Sequence, residues 1–339
     1  MPSQISVIIV NLNGEKYLRD CLESLASQTF RDFEVIVVDN GSTDRSLDLL
    51  RKDFPWVRVT GLPENTGFAK GNNTGFAMAC SRYIVTLNND TIADRNWLKA
   101  LYEAAEAEAP AGMVASKIFL GREGKELDSA GMLIYPDGMT RQRGRGEKDC
   151  GQFDGSREVL FPSACAALYR YDMLKDIGVF DEDFFSYCED ADLGLRARLA
   201  GWKAVFAPGA IVRHLYSQTG GQYSGFKAYH IERNRFWVLM KNLPVSLVLL
   251  SPFSTLWRYV VQCYGLLSGK GSVARFAEGS GSLNLFKVVL RAWGSAITGL
   301  PAIIKKRRRV WNTRRLSVKE YKELLNTHCI TAAELMLRD

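Results

Sequence analysis

Short apolar runs rich in β-branched residues alternate with segments of helical periodicity over the first third of the 339-residue chain. The runs lie at residues 5–10, 33–38, 57–60 and 83–87, and apolar side chains between them recur at spacings of three and four. The segments between the runs are long enough to hold a helix. Two parallel strands need a connection of that kind, whereas antiparallel strands can be joined by a short hairpin. The alternation therefore predicts an α/β fold with a mostly parallel sheet flanked by helices.

Polar residues follow three of these four runs, at the points where the strands are predicted to end. Asn11 and Asn13 follow the first run, residues 39–44 follow the second, and residues 88–90 follow the fourth. Because ligands bind beyond the carboxyl ends of strands in open parallel sheets, these clusters predict one binding edge. Asn, Asp and Ser are also ordinary turn residues, and each cluster taken alone is explained by a turn.

Some of these side chains suit a nucleotide and a cation. Asp39 can accept the imide N–H of uracil or thymine, or it can cap the helix that follows. Residues 64–76 place glycine, lysine and asparagine at a helix start, where backbone can approach a ribose and a phosphate closely. This segment matches neither a Walker loop nor a GxGxxG fingerprint. Asp90 can bind Mg²⁺, which takes few protein carboxylates beside phosphate oxygens and water.

Two later features add candidates for catalysis and metal binding. Glu189 and Asp190 precede a segment of helical pattern at 191–200. A carboxylate in that place can deprotonate an acceptor hydroxyl, or it can be the N-cap of the helix. His214 follows another β-type run, where it can add a metal ligand or play a structural part.

The C-terminal region differs in composition from the rest of the chain. Residues 243–267 and 283–304 are strongly apolar, and residues 305–315 hold seven Lys or Arg in a chain of net charge +7. Apolar surface combined with cations suits peripheral attachment to an anionic membrane surface, which we expect here. A buried helical subdomain and a homodimer contact are the alternatives. Arg258 in the first apolar segment weighs against a spanning helix.

Cysteine usage and the N-terminus bear on the compartment. The seven cysteines include no CxxC pair, which argues against a disulfide framework or a zinc cluster and favours a reducing compartment. The chain enters its first predicted strand without a basic and apolar leader, so we expect no signal peptide. We therefore predict a cytoplasmic protein, peripheral at the inner face of the cell membrane. No motif indicates nucleic acid as a partner.

Five motifs in this order resemble those of the inverting, family-two glycosyltransferases with the GT-A fold. They are VIIVNLN at 7–13, VDNGSTD at 38–44, NTGFAKGNN at 65–73, NNDT at 88–91 and EDADL at 189–193. Within that family the chain is most similar to bacterial rhamnosyltransferases of cell-surface polysaccharide synthesis. The narrower resemblance rests on the block at 65–75, on His214 with Ser217, and on HIERNR at 230–235.

The resemblance implies a division of the chain. Residues 1–242 are expected to form the GT-A glycosyltransferase domain, with a nucleotide-sugar-binding half at about 1–112 and an acceptor and catalytic half at 113–242. Residues 243–339 are expected to form a helical, apolar and basic appendage.

The resemblance also implies roles for single residues. Asp190, with Glu189 beside it, would supply the catalytic base, and Asp90 with His214 would hold Mg²⁺ or Mn²⁺. Asn88 replaces the first Asp of the family's metal motif. The implied substrate-binding residues are Val10, Asn11, Asn13, Asp39, Gly41, Asn65, Gly67, Lys70, Asn72, Asn88, Asn89, Trp202 and Arg233.

The implied reaction moves a sugar from a dTDP- or UDP-sugar, such as dTDP-L-rhamnose, to a hydroxyl of a glycan or a lipid-linked acceptor. The alternative is a non-catalytic, nucleotide-sugar-binding scaffold of a polysaccharide assembly complex.

Overall fold

The computed structural model describes residues 3–107, 111–215, 224–271 and 282–337, so Ser217 lies outside the described residues. The first elements alternate as predicted. They are β1 (Ile5–Asn11), α1 (Glu15–Ala26), β2 (Phe33–Asp39), α2 (Ser46–Asp53), β3 (Arg58–Gly61), α3 (Gly67–Met78), β4 (Tyr83–Leu87), β5 (Thr91–Ala93) and α4 (Trp97–Ala107).

The middle of the chain adds shorter strands and two helices. These elements are β6 (Ala111–Leu120), β7 (Leu127–Ser129), β8 (Met132–Ile134), β9 (Thr140–Gln142), β10 (Ala166–Arg170), α5 (Tyr171–Ile177), a 3₁₀ turn at Glu182–Phe184, α6 (Glu189–Leu199) and β11 (Lys203–His214). The predicted helix at 191–200 is confirmed as α6.

The central sheet has the strand order β3-β2-β1-β4-β10-β6-β11-β5, with β7 paired to β6. Strands β1 to β4 are parallel, β10 runs antiparallel to both of its neighbours, and β6 is parallel to β11. The sheet is therefore mixed. Its parallel half, β1 to β4, carries the polar clusters that follow the predicted strands. Strands β8 and β9 form a separate hairpin.

Alternate side chains of β1 face two different hydrophobic cores. Ile8 packs with α3, α6 and α7 on one face, while Val7 and Ile9 pack with α1 and α4 on the other. Both faces are covered, which explains why the strands read as continuous apolar runs. The parallel register places Asn11 beside Asp39 at the carboxyl ends of β1 and β2.

The C-terminal region is helical in its described residues. Its elements are α7 (Gly225–Asn242), α8 (Val245–Ser268), α9 (Ser282–Thr298), α10 (Leu300–Asn312), α11 (Val318–Thr327) and α12 (Ala332–Leu337). Helices α9 and α10 pack against α7, and α12 packs against α8. The division into a catalytic domain and an appendage at residue 242 stays a prediction.

Among the helices that the structure describes, none is by itself both long and apolar enough to cross a bilayer. Only Asn284–Thr298 and Leu300–Asn312 taken together reach that length and composition, as a pair bent by 59°.

Candidate active site

A cavity of about 1500 Å³ lies at the carboxyl ends of β1 and β4. The start of α3, the β8–β9 hairpin, the loop before α6, the end of β11 and helices α7, α8, α9 and α12 complete its walls. The predicted site residues that line it are Val10, Asn65, Gly67, Asn88, Asn89, Asp90, Glu189, Asp190 and His214. The fold therefore gathers motifs that are far apart in the sequence around one space.

A chain of buried hydrogen bonds links the strand-end clusters below the rim of this cavity. Nδ2 of Asn11 donates to Oδ1 of Asp39 at 3.0 Å, and Nδ2 of Asn89 donates to Oδ1 of Asn11 at 2.8 Å. Asp39 also accepts the backbone N–H of Ser42 at 3.0 Å. Asp39 thus holds the turn after β2 and does not cap α2, which starts four residues beyond that turn.

Asp90 and His214 form the candidate metal end of the cavity. Nε2 of His214 lies 3.4 Å from Oδ1 of Asp90, and its Nδ1 lies 2.8 Å from Oδ2 of Asp128. Burial opposes ionisation of Asp128, but the hydrogen bond from His214 and its charge lower the pKa of that carboxyl. Because an ionised carboxylate only accepts, the Nδ1 proton belongs to this bond and Nε2 is directed at Asp90.

The donor set fits a divalent cation that is shared with a substrate. Within the described part of the chain, no group of three or more His, Cys, Asp or Glu could hold a metal ion. Mg²⁺ commonly takes one or two protein carboxylates and completes its sphere with phosphate oxygens and water. A histidine oriented by a carboxylate is the usual support of a metal ligand. Asp90 and His214 are therefore enough only if a diphosphate supplies further oxygens.

The loop before α6 has a strained backbone. Phe185, Tyr187 and Cys188 have φ of 63°, 68° and 65°, a left-handed conformation that costs a non-glycine residue about 1–3 kcal/mol. Cys188 is the N-cap of α6. Glu189 and Asp190 therefore stand in the first helical turn, and the alternative that one of them is the N-cap is excluded.

The two adjacent carboxyls, Glu189 and Asp190, differ in their partners. Asp190 accepts the backbone N–H of Ala164 at 3.3 Å and that of Ala191 at 2.8 Å. Burial raises its pKa, and these N–H groups oppose the rise. Oε2 of Glu189 is buried with no hydrogen-bond partner among the described residues, and burial and Asp190 raise its pKa well above the ordinary value. Of the two, Asp190 is better suited to ionise and act as a base.

Residues 6–178, just over half of the chain, match the family described as Glycosyl transferase family 2. The chain belongs to this family. The GT-A fold and the assignment to glycosyltransferase family 2 are thereby confirmed, and the inverting reaction stays a prediction.

Two relatives of this family 2 protein differ in how much of the chain they match. N-acetylglucosaminyl-diphospho-decaprenol L-rhamnosyltransferase of Mycobacterium tuberculosis is 26% identical over 252 residues, which is 66% of this chain and 79% of that protein. Glycosyltransferase GlyG of Streptococcus pneumoniae is 34% identical over 109 residues, which is 31% of this chain and 36% of GlyG. The chain thus spans only about a third of the length of GlyG.

Solved structures support the fold. S. aureus TarS 1-349 in complex with UDP-GlcNAc has a TM-score of 0.55 at 20% identity, covering 96% of this chain and 91% of that one. GalNAc-T7 with UDP, GalNAc and Mn²⁺ has a TM-score of 0.57 at 17% identity, covering 71% of this chain and 48% of that one.

Some residues predicted to bind substrate in this family 2 protein do not line the cavity. Lys70 is exposed on α3, and Nδ2 of Asn72 donates to the carbonyl of Phe68 one turn earlier at 2.9 Å. Trp202 follows the far end of α6 and donates to Asp176 at 2.8 Å. Since a helix rises about 1.5 Å per residue, Trp202 lies far from the first turn of α6.

Asn13 and Gly41 bind neighbouring loops together and, like Asn11 and Asp39, do not line the cavity. Oδ1 of Asn13 accepts the backbone N–H of Thr43 at 2.8 Å. Gly41 has φ of 82°, and a Cβ there would lie 2.7 Å from the backbone carbon of Glu64. These residues support the rim and do not form it.

Arg233 contacts protein backbone and does not line the cavity. Its guanidinium donates to the carbonyls of Asp183 and Phe184 at 3.2 and 3.0 Å, and it lies over the ring of Trp237 at 4.4 Å. The loop before α6 occupies donors of Arg233, which explains why it does not line the cavity; its role in substrate binding stays a prediction.

Several residues of the site carry no recognisable signal in the sequence. Asp128, the partner of His214, lies in β7, in a segment without a motif, and Asn40 lines the cavity beside Asn65. Asn234 lies inside the HIERNR motif, but no local pattern indicates which loop it contacts.

The end of the cavity near the C-terminal helices combines a buried ion network with apolar side chains. Glu232 and Arg258 line the cavity. Burial opposes ionisation of Glu232, but Arg235 and Arg258 lower its pKa to about 2. Asp137 accepts from Arg258 at 2.7 Å. Apolar lining on this side comes from Ile231, Leu285, Val289, Leu335 and Met336.

Proposed function

We propose that the protein is an inverting glycosyltransferase that moves a sugar from a nucleoside-diphosphate sugar to a hydroxyl of a glycan or a lipid-linked acceptor. The observation that carries this proposal is the shared cavity of Asp90, His214, Glu189 and Asp190. Pockets for one small ligand measure about 300–1,000 Å³, and this cavity of about 1500 Å³ is larger. It has room for a donor and part of an acceptor.

The two ends of the cavity take different tasks. Asp90 and His214 would hold Mg²⁺ or Mn²⁺, which when bound offsets negative charge on a departing diphosphate. Asn65 and Gly67 face the nucleoside from the start of α3. Asp190 accepts the proton of the acceptor hydroxyl as that oxygen bonds to the anomeric carbon. Attack from the side opposite the leaving diphosphate inverts the anomeric configuration.

The relatives suggest which donors to test first. The M. tuberculosis relative is named as an L-rhamnosyltransferase, and one TarS structure contains UDP-GlcNAc. We therefore propose dTDP-L-rhamnose and UDP-GlcNAc as the leading candidates. A ligand at 100 times its Kd stabilises a protein by about 2.7 kcal/mol. A panel of dTDP- and UDP-sugars, each with and without Mg²⁺ or Mn²⁺, should show the true donor as a metal-dependent rise in Tm.

Activity of the Asp190→Asn variant tests the reaction itself. A positioned base contributes about 10²–10⁴-fold, so transfer should fall by that factor while donor binding and Tm are retained. Asp183→Asn is the matched control, because Asp183 is more exposed and pairs with Lys306. Normal transfer by Asp190→Asn would remove the base assignment. Donor binding by the wild type without transfer to any acceptor would favour the scaffold alternative.

We also propose that α8 attaches the protein to a membrane surface. Its large exposed apolar side chains are Val245, Leu249, Leu250, Phe253, Leu256, Trp257, Val260, Tyr264 and Leu267. The only charged residue of α8 is Arg258, which is buried against Asp137 and Glu232. Such a continuous apolar face suits the boundary between lipid headgroups and acyl chains.

Cations beside this apolar surface favour an anionic bilayer as its partner. On α9, Lys287 and Arg291 are exposed next to Phe286 and Leu290. The Lys and Arg residues of segment 305–315 differ in their surroundings. Lys306, Arg307 and Arg315 bind protein groups, whereas Lys305, Arg308 and Arg309 are exposed. Attraction of exposed cations to anionic lipid weakens with salt. We therefore propose a peripheral location at the inner face of the cell membrane.

Vesicle sedimentation tests the attachment. The protein should pellet with phosphatidylglycerol-containing vesicles at low salt, less at high salt, and less as Trp257→Ser. Trp56→Ser is the matched control, because Trp56 is 44% exposed between α2 and β3, away from α8, and Trp257 is 59% exposed on α8. If the wild type stays in the supernatant at low salt, the proposal fails. A concentration-dependent dimer that Trp257→Ser disrupts would instead assign this face to a second copy of the chain.

A further inference from the structure

Asn234 lies fully buried on α7, under the strained loop that leads into α6. Its Nδ2 lies 2.9, 2.9 and 2.7 Å from the carbonyl oxygens of Phe184, Ser186 and Tyr187. One amide NH₂ group therefore lies within hydrogen-bond distance of three carbonyl oxygens in the four-residue stretch 184–187. Buried carbonyls without such a donor would lose the stabilisation that a buried hydrogen bond provides.

The orientation of this amide follows from its neighbour. Nε of Arg233 donates to Oδ1 of Asn234 at 2.8 Å. Because a guanidinium can only donate, it must face the oxygen of the amide, and the NH₂ group is left facing the loop. Arg233 adds donors to the carbonyls of Asp183 and Phe184. The two residues together hold the backbone from 183 to 187.

The same loop contacts the donor side of the cavity. The carbonyl of Phe185 accepts the backbone N–H of Ala69 at 3.1 Å, and Gly67 has φ of 86° with Phe185 packed where its Cβ would stand. Asp190 comes two residues after Cys188, directly beyond this loop. A shift of the loop would therefore move the carboxylate of Asp190 relative to the start of α3.

We propose that Asn234 is a positioning residue for sugar transfer. By donating to the carbonyls of residues 184, 186 and 187, it keeps the left-handed loop in place and so sets the position of the Asp190 carboxylate beside the donor site. This inference rests on the proposed function, because it takes Asp190 as the base. Asn234 itself does not line the cavity and acts only through the loop.

The sharpest test is Asn234→Asp. This variant keeps the shape of the side chain and its bond with Arg233, but it replaces the two N–H donors with an oxygen that faces three carbonyl oxygens. A displacement of about 1 Å can cost 10²-fold in rate, so we expect kcat to fall about 10- to 100-fold. The donor Kd, measured by calorimetry, should change much less than kcat, since Asn65 and Gly67, which face the nucleoside, are not part of the loop that shifts.

A double variant separates positioning from general damage. If Asn234 acts through Asp190, adding Asn234→Ala to Asp190→Asn should cause no further loss of kcat, because residues that act as one unit are not additive. Asn242→Ala is the matched control, since Asn242 is equally buried on α7 but donates to Asp192 at 2.9 Å and not to the loop. It should lower Tm and leave kcat near the wild-type value.

The outcomes distinguish this inference from the proposed function. Wild-type kcat in Asn234→Asp, a loss seen only as weaker donor binding, or an equal loss of kcat in Asn242→Ala would each overturn the role of Asn234. Full activity of Asp190→Asn would overturn the proposed base, whatever the result at Asn234.

Discussion

His214 is held by Asp128 across 86 residues of sequence, with Nδ1 of the ring 2.8 Å from Oδ2 of the carboxylate. The contact fixes the ring and directs Nε2 at Asp90, 3.4 Å away. A histidine that is free to rotate would present either nitrogen. Asp128 thereby orients the histidine at the candidate metal end of the cavity.

We predict that Asp128→Asn weakens metal-dependent donor binding. Loss of a carboxylate that orients a ligating histidine typically costs about 10–100-fold in metal affinity. Calorimetric titration of Mg²⁺ or Mn²⁺ into the protein with a fixed nucleotide sugar measures the effect. Asp154→Asn is the control, because Asp154 is half exposed, pairs with Lys117 at 2.7 Å and does not line the cavity. Equal metal affinity in the two variants would contradict the role of Asp128.

We predict an acid limb in the pH dependence of kcat/KM. Burial raises the pKa of Asp190 above its ordinary value of 3.8, and the base must be ionised to accept a proton. Activity should therefore rise with pH through a midpoint above 3.8. Initial rates at several pH values, with stability checked at each, measure this midpoint. The residual activity of Asp190→Asn should lack the limb. An unchanged limb in that variant would assign it to another group.

We predict that Glu189→Gln stabilises the protein more at alkaline than at acidic pH. Burial and Asp190 raise the pKa of Glu189 well above 4.5, so the folded state binds more protons than the unfolded state between the two pKa values. The free energy of unfolding then falls as pH rises through this window, and glutamine removes that loss. Differences in Tm between variant and wild type should grow with pH. Glu182→Gln, at an exposed position, should show no such trend.

We predict that Lys241→Met lowers the free energy of unfolding by about 1.5–3 kcal/mol, because Asp181 and Asp192 each lose one of their two cationic partners and keep only Lys306 and Arg196. Nζ of Lys241 lies 2.6 Å from Asp181 and 2.8 Å from Asp192, and Asp192 is fully buried. Urea unfolding measures the loss. Lys319→Met is the control, since its pair with Glu323 is exposed at 4.0 Å and surface pairs contribute about 0–1 kcal/mol. A loss no larger than that of the control would contradict the prediction.

Local patterns predicted the elements of the first half of the chain closely. The run at 83–87 is β4, and the run at 5–10 is β1 with one more residue. Buried strands and amphipathic helices leave a periodic signal in neighbouring residues, which explains this agreement. Strand β10, which inserts antiparallel between β4 and β6, had no such signal, because pairing partners far apart in sequence leave no local pattern.

The motifs around Asp90 and Asp190 indicated the family and the edge of the sheet from sequence alone, since side-chain chemistry at strand ends and helix starts is a local property. Only the tertiary structure decided which residues face the cavity. It turned Arg233 toward the loop carbonyls, left Lys70 exposed and brought Asp128 to His214. Those outcomes depend on the packing of elements that are distant in sequence, and a one-dimensional pattern does not contain the distances between them.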